Sequence, residues 1–296
     1  MTPKTSLDYQ KLTEHFFKTK ITGSLSVSTI ESALLGCALD YRPAYWRRLR
    51  RAIQHTLEIY GRGQAARAIS MLSNPVTDSN SPLQKLKKLK QKRVKRVHQK
   101  EHKKLISYFA QKQDAQMLGA LKIVNTLGCR PIELLGLHFL GDRSLFIKGA
   151  KKTKDGLRGL DRTLCLDEET YQCLVNAYQL LKRDCSNIGI DNSVIIKRLQ
   201  RRLQTATKAI WPRRRHHITF YSYRHQMGSD LKSSGLPPEA VAAIMGHQST
   251  VSVEKYGDRR LGTIRPFPSP TLATIKNVRT PKSLRISTSS KQSLNC

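Results

Sequence analysis

Four short segments carry the side chains that could do chemistry. Thr126-Leu127-Gly128-Cys129-Arg130-Pro131-Ile132-Glu133 sets an arginine at a helix start, with a carboxylate three residues on. Lys148-Gly149-Ala150-Lys151-Lys152-Thr153-Lys154 gathers lysines where a strand should turn back. Tyr221-Ser222-Tyr223-Arg224-His225 supplies a second arginine, and Met245-Gly246-His247-Gln248-Ser249 leads to Tyr256, nine residues beyond His247. Singly, each has an ordinary explanation. Arginines and lysines sit on solvated surfaces, Glu133 suits the positive end of a helix, His247 follows a glycine of C-cap type, and a tyrosine near a domain end is half-buried core. Together they suit displacement at a phosphate ester. Planar guanidinium forks match phosphate oxygens, a lysine can protonate a leaving oxygen, and a phenol can attack phosphorus.

The elements that must position these residues are mainly helical. Residues 7 to 73 read as helices, and Tyr45-Trp46-Arg47-Arg48-Leu49-Arg50-Arg51-Ala52-Ile53 places Trp46, Leu49 and Ile53 on one face. Arg47, Arg48 and Arg51 occupy the other, as a solvated surface or a phosphate-facing one. The turn formers of Asn74-Pro75-Val76-Thr77-Asp78-Ser79-Asn80-Ser81-Pro82 mark a boundary. Residues 83 to 104 then hold eleven Lys or Arg, among them Lys92, Arg93, Lys95 and Arg96. Leu83, Leu86 and Leu89 recur every three residues, so this stretch is part helix or a flexible tether along a phosphate backbone. Helices resume near 101, Gly128 breaks the run, and Pro131 opens a helix whose buried side is Ile132, Leu134, Leu135 and Leu137. Ser144-Leu145-Phe146-Ile147 and Thr163-Leu164-Cys165-Leu166 read as a small hairpin. Pro237-Pro238 and Gly246 bracket another helix, and 250 to 257 reads as a helix carrying Tyr256, with Ser249 or Thr250 as N-cap. Beyond Gly262 the chain is rich in Ser, Thr, Pro, Lys and Arg, a composition that predicts disorder without a partner.

Composition narrows the partners. Lys plus Arg number 53 against 21 Asp plus Glu, a net charge of +32 over 296 residues. So large an excess points first to nucleic acid, ahead of a ribosomal or membrane-surface protein. No stretch approaches the roughly 18 apolar residues of a membrane span, and the N-terminus lacks the basic start and apolar core of a signal peptide. A soluble cytoplasmic protein is expected. Cys37, Cys129, Cys165, Cys173, Cys185 and Cys296 form no CxxC pair, so reduced thiols are expected. His98-Gln99-Lys100-Glu101-His102 reads HxxEH, an inverted zinc-protease pattern. It lies among Lys95, Arg96, Lys100, Lys103 and Lys104 with no third ligand, so no metal is assigned.

The four segments in this order resemble the tyrosine recombinase (phage integrase) family. Its signature, TGxRxxELLxL, a hairpin lysine, HxxRH, and LGHxS with a tyrosine nine residues past the histidine, stands here as TLGCRPIELLGL, the KKT lysines, YSYRH, and MGHQS with Tyr256. The interval of 23 residues from Arg224 to His247 is also similar to the family's. The resemblance covers about 101 to 260, and the first 75 residues resemble the core-binding domain in character only.

It implies a two-domain architecture, mainly α with a small antiparallel sheet. Residues 1–80 are a helical DNA-binding domain, 81–100 a basic linker, 101–261 the catalytic domain and 262–296 a basic tail. The linker and the arginines of the first domain, Arg47, Arg48, Arg51, Lys92, Arg93, Lys95 and Arg96, are the DNA-binding candidates. Arg130 and Arg224 clamp the non-bridging oxygens, Glu133 holds Arg130, and Tyr256 attacks. Lys152, with Lys151 and Lys154 as rivals, protonates the leaving oxygen, while His247 bonds the phosphate or handles the tyrosine proton. The phosphotyrosyl link stores the energy of the broken bond, so no cofactor is implied. Partners implied are double-stranded DNA and a homotetramer passing through a Holliday junction, with accessory DNA-bending or directionality proteins. The tail would pack on a neighbouring protomer, against its composition. One position departs: Tyr221 stands where the pattern has histidine. A phenol, with a reference pKa of about 10, accepts protons poorly near neutrality. Tyr221 then positions phosphate, or His225, His216 or His217 shares the role, or water or the phosphate takes the tyrosine proton. A DNA-binding protein without catalysis is the other class consistent with that change.

Overall fold

The computed structural model describes residues 1–89, 92–150, 159–183 and 191–280. It divides into two compact units, Met1–Gln91 and Lys92–Cys296. In the first, α1 (Pro3–Lys20), α2 (Val27–Gly36), α3 (Pro43–Ile59) and α4 (Gly63–Met71) enclose a core of Phe16, Ile30, Leu34, Trp46, Leu49, Ile53 and Ile69. The apolar spacing of α3 dictates this arrangement: Trp46, Leu49, Ile53 and Leu57 are buried, while Arg47, Arg48 and Arg51 are exposed. The Trp46 indole N–H finds its partner in the Leu34 carbonyl at 2.7 Å, so its polar edge is satisfied inside the core. The leucine spacing after Pro82 does not build a helix. A single 3₁₀ turn spans Pro82–Leu86, and Leu86 and Leu89 are exposed. Their neighbours are lysines, so there is no apolar stripe wide enough to dock.

In the second unit α5 (Gln99–Gln111), α6 (Ala115–Leu127), α7 (Glu168–Lys182), α8 (Asn192–Ile210), α9 (Phe220–Ser233) and α10 (Pro238–Met245) share one core. α6 is buried on nearly every side, through Met117, Ala120, Leu121, Ile123, Val124 and Leu127. The sheet is larger than the hairpin read from the sequence: β1 (Leu137–Phe139), β2 (Ser144–Ile147), β3 (Arg162–Cys165) and β4 (Ser269–Pro270) pair antiparallel in that order. Pro131 opens a 3₁₀ turn, Pro131–Leu135, rather than a helix, because Leu137 leaves it to pair with Ile147.

Two further expectations are corrected. Residues 250 to 257 are not an α-helix: a 3₁₀ turn covers Thr250–Lys255, and Tyr256 is extended at φ −121° and ψ 129°. Val251 and Val253, being β-branched, disfavour helix, and packing on α9 draws the chain straight beyond Lys255. Part of the tail predicted to lack structure is also ordered, through β4 and α11 (Leu272–Lys276). Buried Asp230 explains this: it accepts from the Thr263 amide at 2.9 Å and pairs with Arg265 at 2.9 Å. Residues 281–296 lie outside the described residues. Among the described residues no helix is long and apolar enough to cross a membrane.

Candidate active site

Three of the four sequence segments converge, and β3 adds a residue that the sequence reading passed over. Arg130 precedes the 3₁₀ turn, whose carboxylate Glu133 returns to it twice. The Arg130 amide donates to Oε2 at 2.9 Å and its Nη1 to Oε1 at 2.7 Å. A third bond, from Nη2 to the Gly246 carbonyl at 3.2 Å, ties Arg130 to the end of α10. Its guanidinium is thereby fixed before any ligand arrives. Glu133 is itself 1% exposed, and it also accepts from Arg162 Nη2 at 2.9 Å and from the Ala150 amide at 3.4 Å. Burial alone would raise its carboxyl, but Arg162, Arg130 and Arg224 outweigh that and bring it down to about 2.

Arg224, on α9, is fully buried. Its Nη1 donates to the Gly128 carbonyl at 2.9 Å, and its Nη2 to the Met245 carbonyl at 2.5 Å and to His247 Nε2 at 2.9 Å. Burial and the Arg130 charge lower its pKa to about 10, which leaves it cationic at neutral pH. Because arginine only donates, His247 Nε2 must accept, and the neutral ring then carries its proton on Nδ1. That Nδ1 is buried without a partner among the described residues, a donor held ready for an anion. Burial, then Arg224, Arg130 and Arg162, push the imidazole down to about 2, so it is neutral.

Tyr256 is half-buried against this cluster. Its ring lies 5.1 Å from the Arg224 guanidinium carbon, and 5.0 Å from the rings of both His247 and His225. The stacked guanidinium contributes an attraction of about 0.5–2 kcal/mol. Beyond Tyr256 the chain is pressed onto α9. The Asp258 amide donates to Ser229 Oγ at 2.9 Å and Lys232 Nζ to the Gly257 carbonyl at 3.3 Å. The Gly257 amide points at His225 Nδ1, 3.5 Å away.

The phage integrase family's sequence model matches residues 95–260, more than half of the chain. The chain belongs to the phage integrase family. No curated protein matches this family member in sequence. Among solved structures, the Tn1549 transposon integrase in complex with transposon right end DNA is similar at TM-score 0.56 and 16% identity, over 86% of this chain and 89% of that one. A lambda integrase dimer bound to a COC′ core site is similar at TM-score 0.56 and 14% identity, over 90% and 93%. XerH recombinase bound to difH substrate is similar at TM-score 0.50 and 15% identity, over 98% and 80%. At such identities the likeness is one of fold: mostly helical, with the small antiparallel sheet.

The remaining predicted positions in this integrase-family chain lie apart from that cluster or outside the described residues. Lys151, Lys152 and Lys154 lie outside the described residues. The ends of that hairpin are described, and both are anchored: Gly149 N–H donates to Asp161 at 2.8 Å, and the Ala150 amide reaches Glu133. Tyr221 is half-buried in the first turn of α9, and no hydrogen bond of its side chain is found among the described residues. Arg93, Lys95 and Arg96 line an open crevice of about 340 Å³ with Arg214, Arg215 and His216, while Lys92 is exposed. His217 is half-buried, and its Nδ1 lacks a partner among the described residues. In the HxxEH stretch, Glu101 pairs with Arg214 at 2.6 Å, and His102 bonds the Tyr223 hydroxyl at 3.1 Å. Among the described residues no group of three possible ligands is placed to hold a metal.

Arg162 is the residue that sequence reasoning missed. The strand was read from Thr163, whereas β3 begins at Arg162. A start one residue earlier would have shown Arg162 on the inward face with Leu164, since alternate strand residues share a face.

Proposed function

We propose that this chain is a site-specific DNA recombinase of the tyrosine class, which cuts and rejoins DNA through a 3′-phosphotyrosyl intermediate. The observation that carries the reading is the convergence of Arg130, Arg224, His247 and Tyr256 on one spot, with both guanidinium groups already held by protein acceptors. Such preorganisation suits the charge that develops on non-bridging oxygens as phosphorus becomes five-coordinate. Tyr256 Oη attacks phosphorus, the bond to the 5′ oxygen breaks, and that oxygen takes a proton from the hairpin lysine, for which we favour Lys152. Rejoining runs the same steps in reverse. His247 donates from Nδ1 to a phosphate oxygen, and Glu133 keeps Arg130 aimed.

The tyrosine proton goes to water or to the phosphate. His247 Nε2 already accepts from Arg224, and His225 Nδ1 faces the Gly257 amide, which leaves Nε2 of a neutral His225 carrying its proton. Neither ring then offers a lone pair toward the phenol. Tyr221 contributes a hydrogen bond to phosphate rather than base catalysis. Because the Tyr256 ring covers Arg224, engagement of a phosphate requires the phenol to move off the guanidinium.

Arg47, Arg48 and Arg51 in the first unit, and Lys92, Arg93, Lys95 and Arg96 at the start of the second, bind the phosphate backbone. The net charge of +32 supports this role. Residues 1–80 serve as a DNA-binding domain, 81–100 as linker and 101–261 as catalytic domain. A homotetramer on two sites, accessory proteins, a mobile-element setting and a cytoplasmic location complete the proposal. The test uses a nicked site, recovered by footprinting the protein on the DNA flanking its own coding sequence. Wild-type protein should form a denaturant-stable adduct with that DNA, and Tyr256→Phe should form none. An adduct that persists in the phenylalanine variant moves the nucleophile elsewhere, and no adduct with wild type removes the enzyme reading.

A further inference from the structure

We propose that Arg162 is a positioning residue of the phosphate clamp, bonding one of the acceptors that orient Arg130 and packing under the glycine that carries the other. The proposal rests on the recombinase reading above. Arg130 is aimed by two groups, the Glu133 carboxylate and the Gly246 carbonyl. Arg162 bonds the first and packs under the residue that carries the second. Its Nη2 donates to Glu133 Oε2 at 2.9 Å, which turns Oε1 toward Arg130 Nη1. Its guanidinium also fills the space beneath Gly246: a Cβ on that residue would stand 2.5 Å from Arg162 Nη1 and 3.0 Å from Cζ. Gly246 has φ +64°, a left-handed conformation suited to glycine, so the turn into His247 and the room for Arg162 depend on the same residue.

Stability does not account for this side chain. Arg162 sits on the inward face of β3 beside Leu164, with its side chain fully buried. Its Nε and Nη1 are buried without hydrogen-bond partners among the described residues. Buried donors left unmet are costly, and without Arg162 the Glu133 carboxylate keeps Arg130 as its ion-pair partner, so no buried charge is left uncompensated. Three arginines here share the one carboxylate of Glu133, so the local excess is cationic. A phosphate is the kind of ligand that relieves it. Arg162 itself has no exposed atom with which to touch DNA; it acts through Arg130.

The test compares two cleavage substrates. One carries the natural phosphodiester, the other a methylphosphonate whose neutral methyl replaces a charged non-bridging oxygen. A clamp has less charge to stabilise on the second, so a variant impaired through Arg130 loses less there. A fault that only loosens the fold slows both alike. Arg162→Met should bind site DNA within about threefold of wild type and cleave the phosphodiester about 10²-fold more slowly, the scale of a small misplacement. Its deficit should shrink by about tenfold or more on the methylphosphonate, as it should for Arg130→Ala. Phosphodiester cleavage within about threefold of wild type, or an equal deficit on both substrates, overturns the role. Arg162→Lys carries the same test if the methionine variant does not fold. It keeps the charge and one bond to Glu133 while losing the fork, and equal deficits there also overturn the proposal. A wild-type protein that forms no adduct overturns the recombinase reading and this role with it. A normal wild type beside an unaffected Arg162→Met overturns the role alone.

Discussion

Gly257 follows the proposed nucleophile, and replacing it by alanine displaces Tyr256 without touching any arginine. Its φ of +72° lies in the left-handed region, and a Cβ there would stand 2.2 Å from the Ser229 nitrogen, 2.4 Å from the Gly228 carbonyl carbon and 2.8 Å from the Ser229 Cα. All three are backbone atoms in the middle of α9, which is packed on the core and cannot yield as a side-chain tip would. To reach even the 3.4 Å of ordinary contact, the strand from 256 to 258 must retreat by about 1.2 Å. The left-handed conformation costs alanine about 1–2 kcal/mol and the overpacking about 1–3 kcal/mol, so retreat is the cheaper response. A reacting atom misplaced by about 1 Å slows chemistry on the order of 10²-fold. Gly235→Ala is the matched control: its φ is +80°, yet nothing lies within 4 Å of the new Cβ. Single-turnover adduct formation on the nicked site, with binding measured in parallel, separates the two. Gly257→Ala should bind normally and form adduct about 10²-fold more slowly, whereas Gly235→Ala should differ from wild type only by a small fall in melting temperature. Equal adduct rates for the two variants would refute the claim that contact with α9 positions Tyr256.

Three further outcomes follow from the geometry. Glu133→Gln leaves Arg130, Arg162 and Arg224 without their shared anion, and should lower stability by roughly 3–5 kcal/mol in urea unfolding; a loss below about 1 kcal/mol would contradict the hub assigned to Glu133. His102 is held neutral by burial and then by the Arg265 charge, down to about 4 from 6.5. Since the folded pKa is the lower one, its contribution is complete above pH 6.5, lost as pH falls toward 4, and already smaller by about 2 kcal/mol at pH 5. His247 acts in the same direction over a window that opens at the same 6.5 and runs further down, to about 2; removing the His102 share, the melting temperature of His102→Asn should fall less between pH 7 and pH 5 than that of wild type. Replacing Arg47, Arg48 and Arg51 together by alanine should flatten the slope of log affinity against log salt by about 2–3, and an unchanged slope would place the phosphate contacts elsewhere.

Much of the site was legible because its residues come in short local patterns. Arg130 with Glu133, and His247 with Tyr256, are spaced so that one turn or one short segment presents both members, and a linear reading can register that. The Trp46, Leu49 and Ile53 face of α3 was legible for the same reason, since helical periodicity is local. What escaped depends on contacts between distant segments. Whether 250 to 257 becomes a helix is decided by the pull of α9 on Gly257, 28 positions beyond Ser229. Order in the first part of the tail is decided by the buried carboxylate of Asp230, which no composition reveals.

By itself the sequence determined the family, the candidates proposed as reacting groups, the helical character and the charge that calls for a polyanion. Each of these is a property of residue type and spacing. The tertiary structure alone decided how the charges are compensated. It set one carboxylate among three guanidinium groups, turned the Arg224 and His247 donors, and placed Arg162 beneath Gly246, some 84 positions along the chain. Electrostatic preorganisation depends on distance and burial, and neither exists until β3, α9 and α10 have packed together.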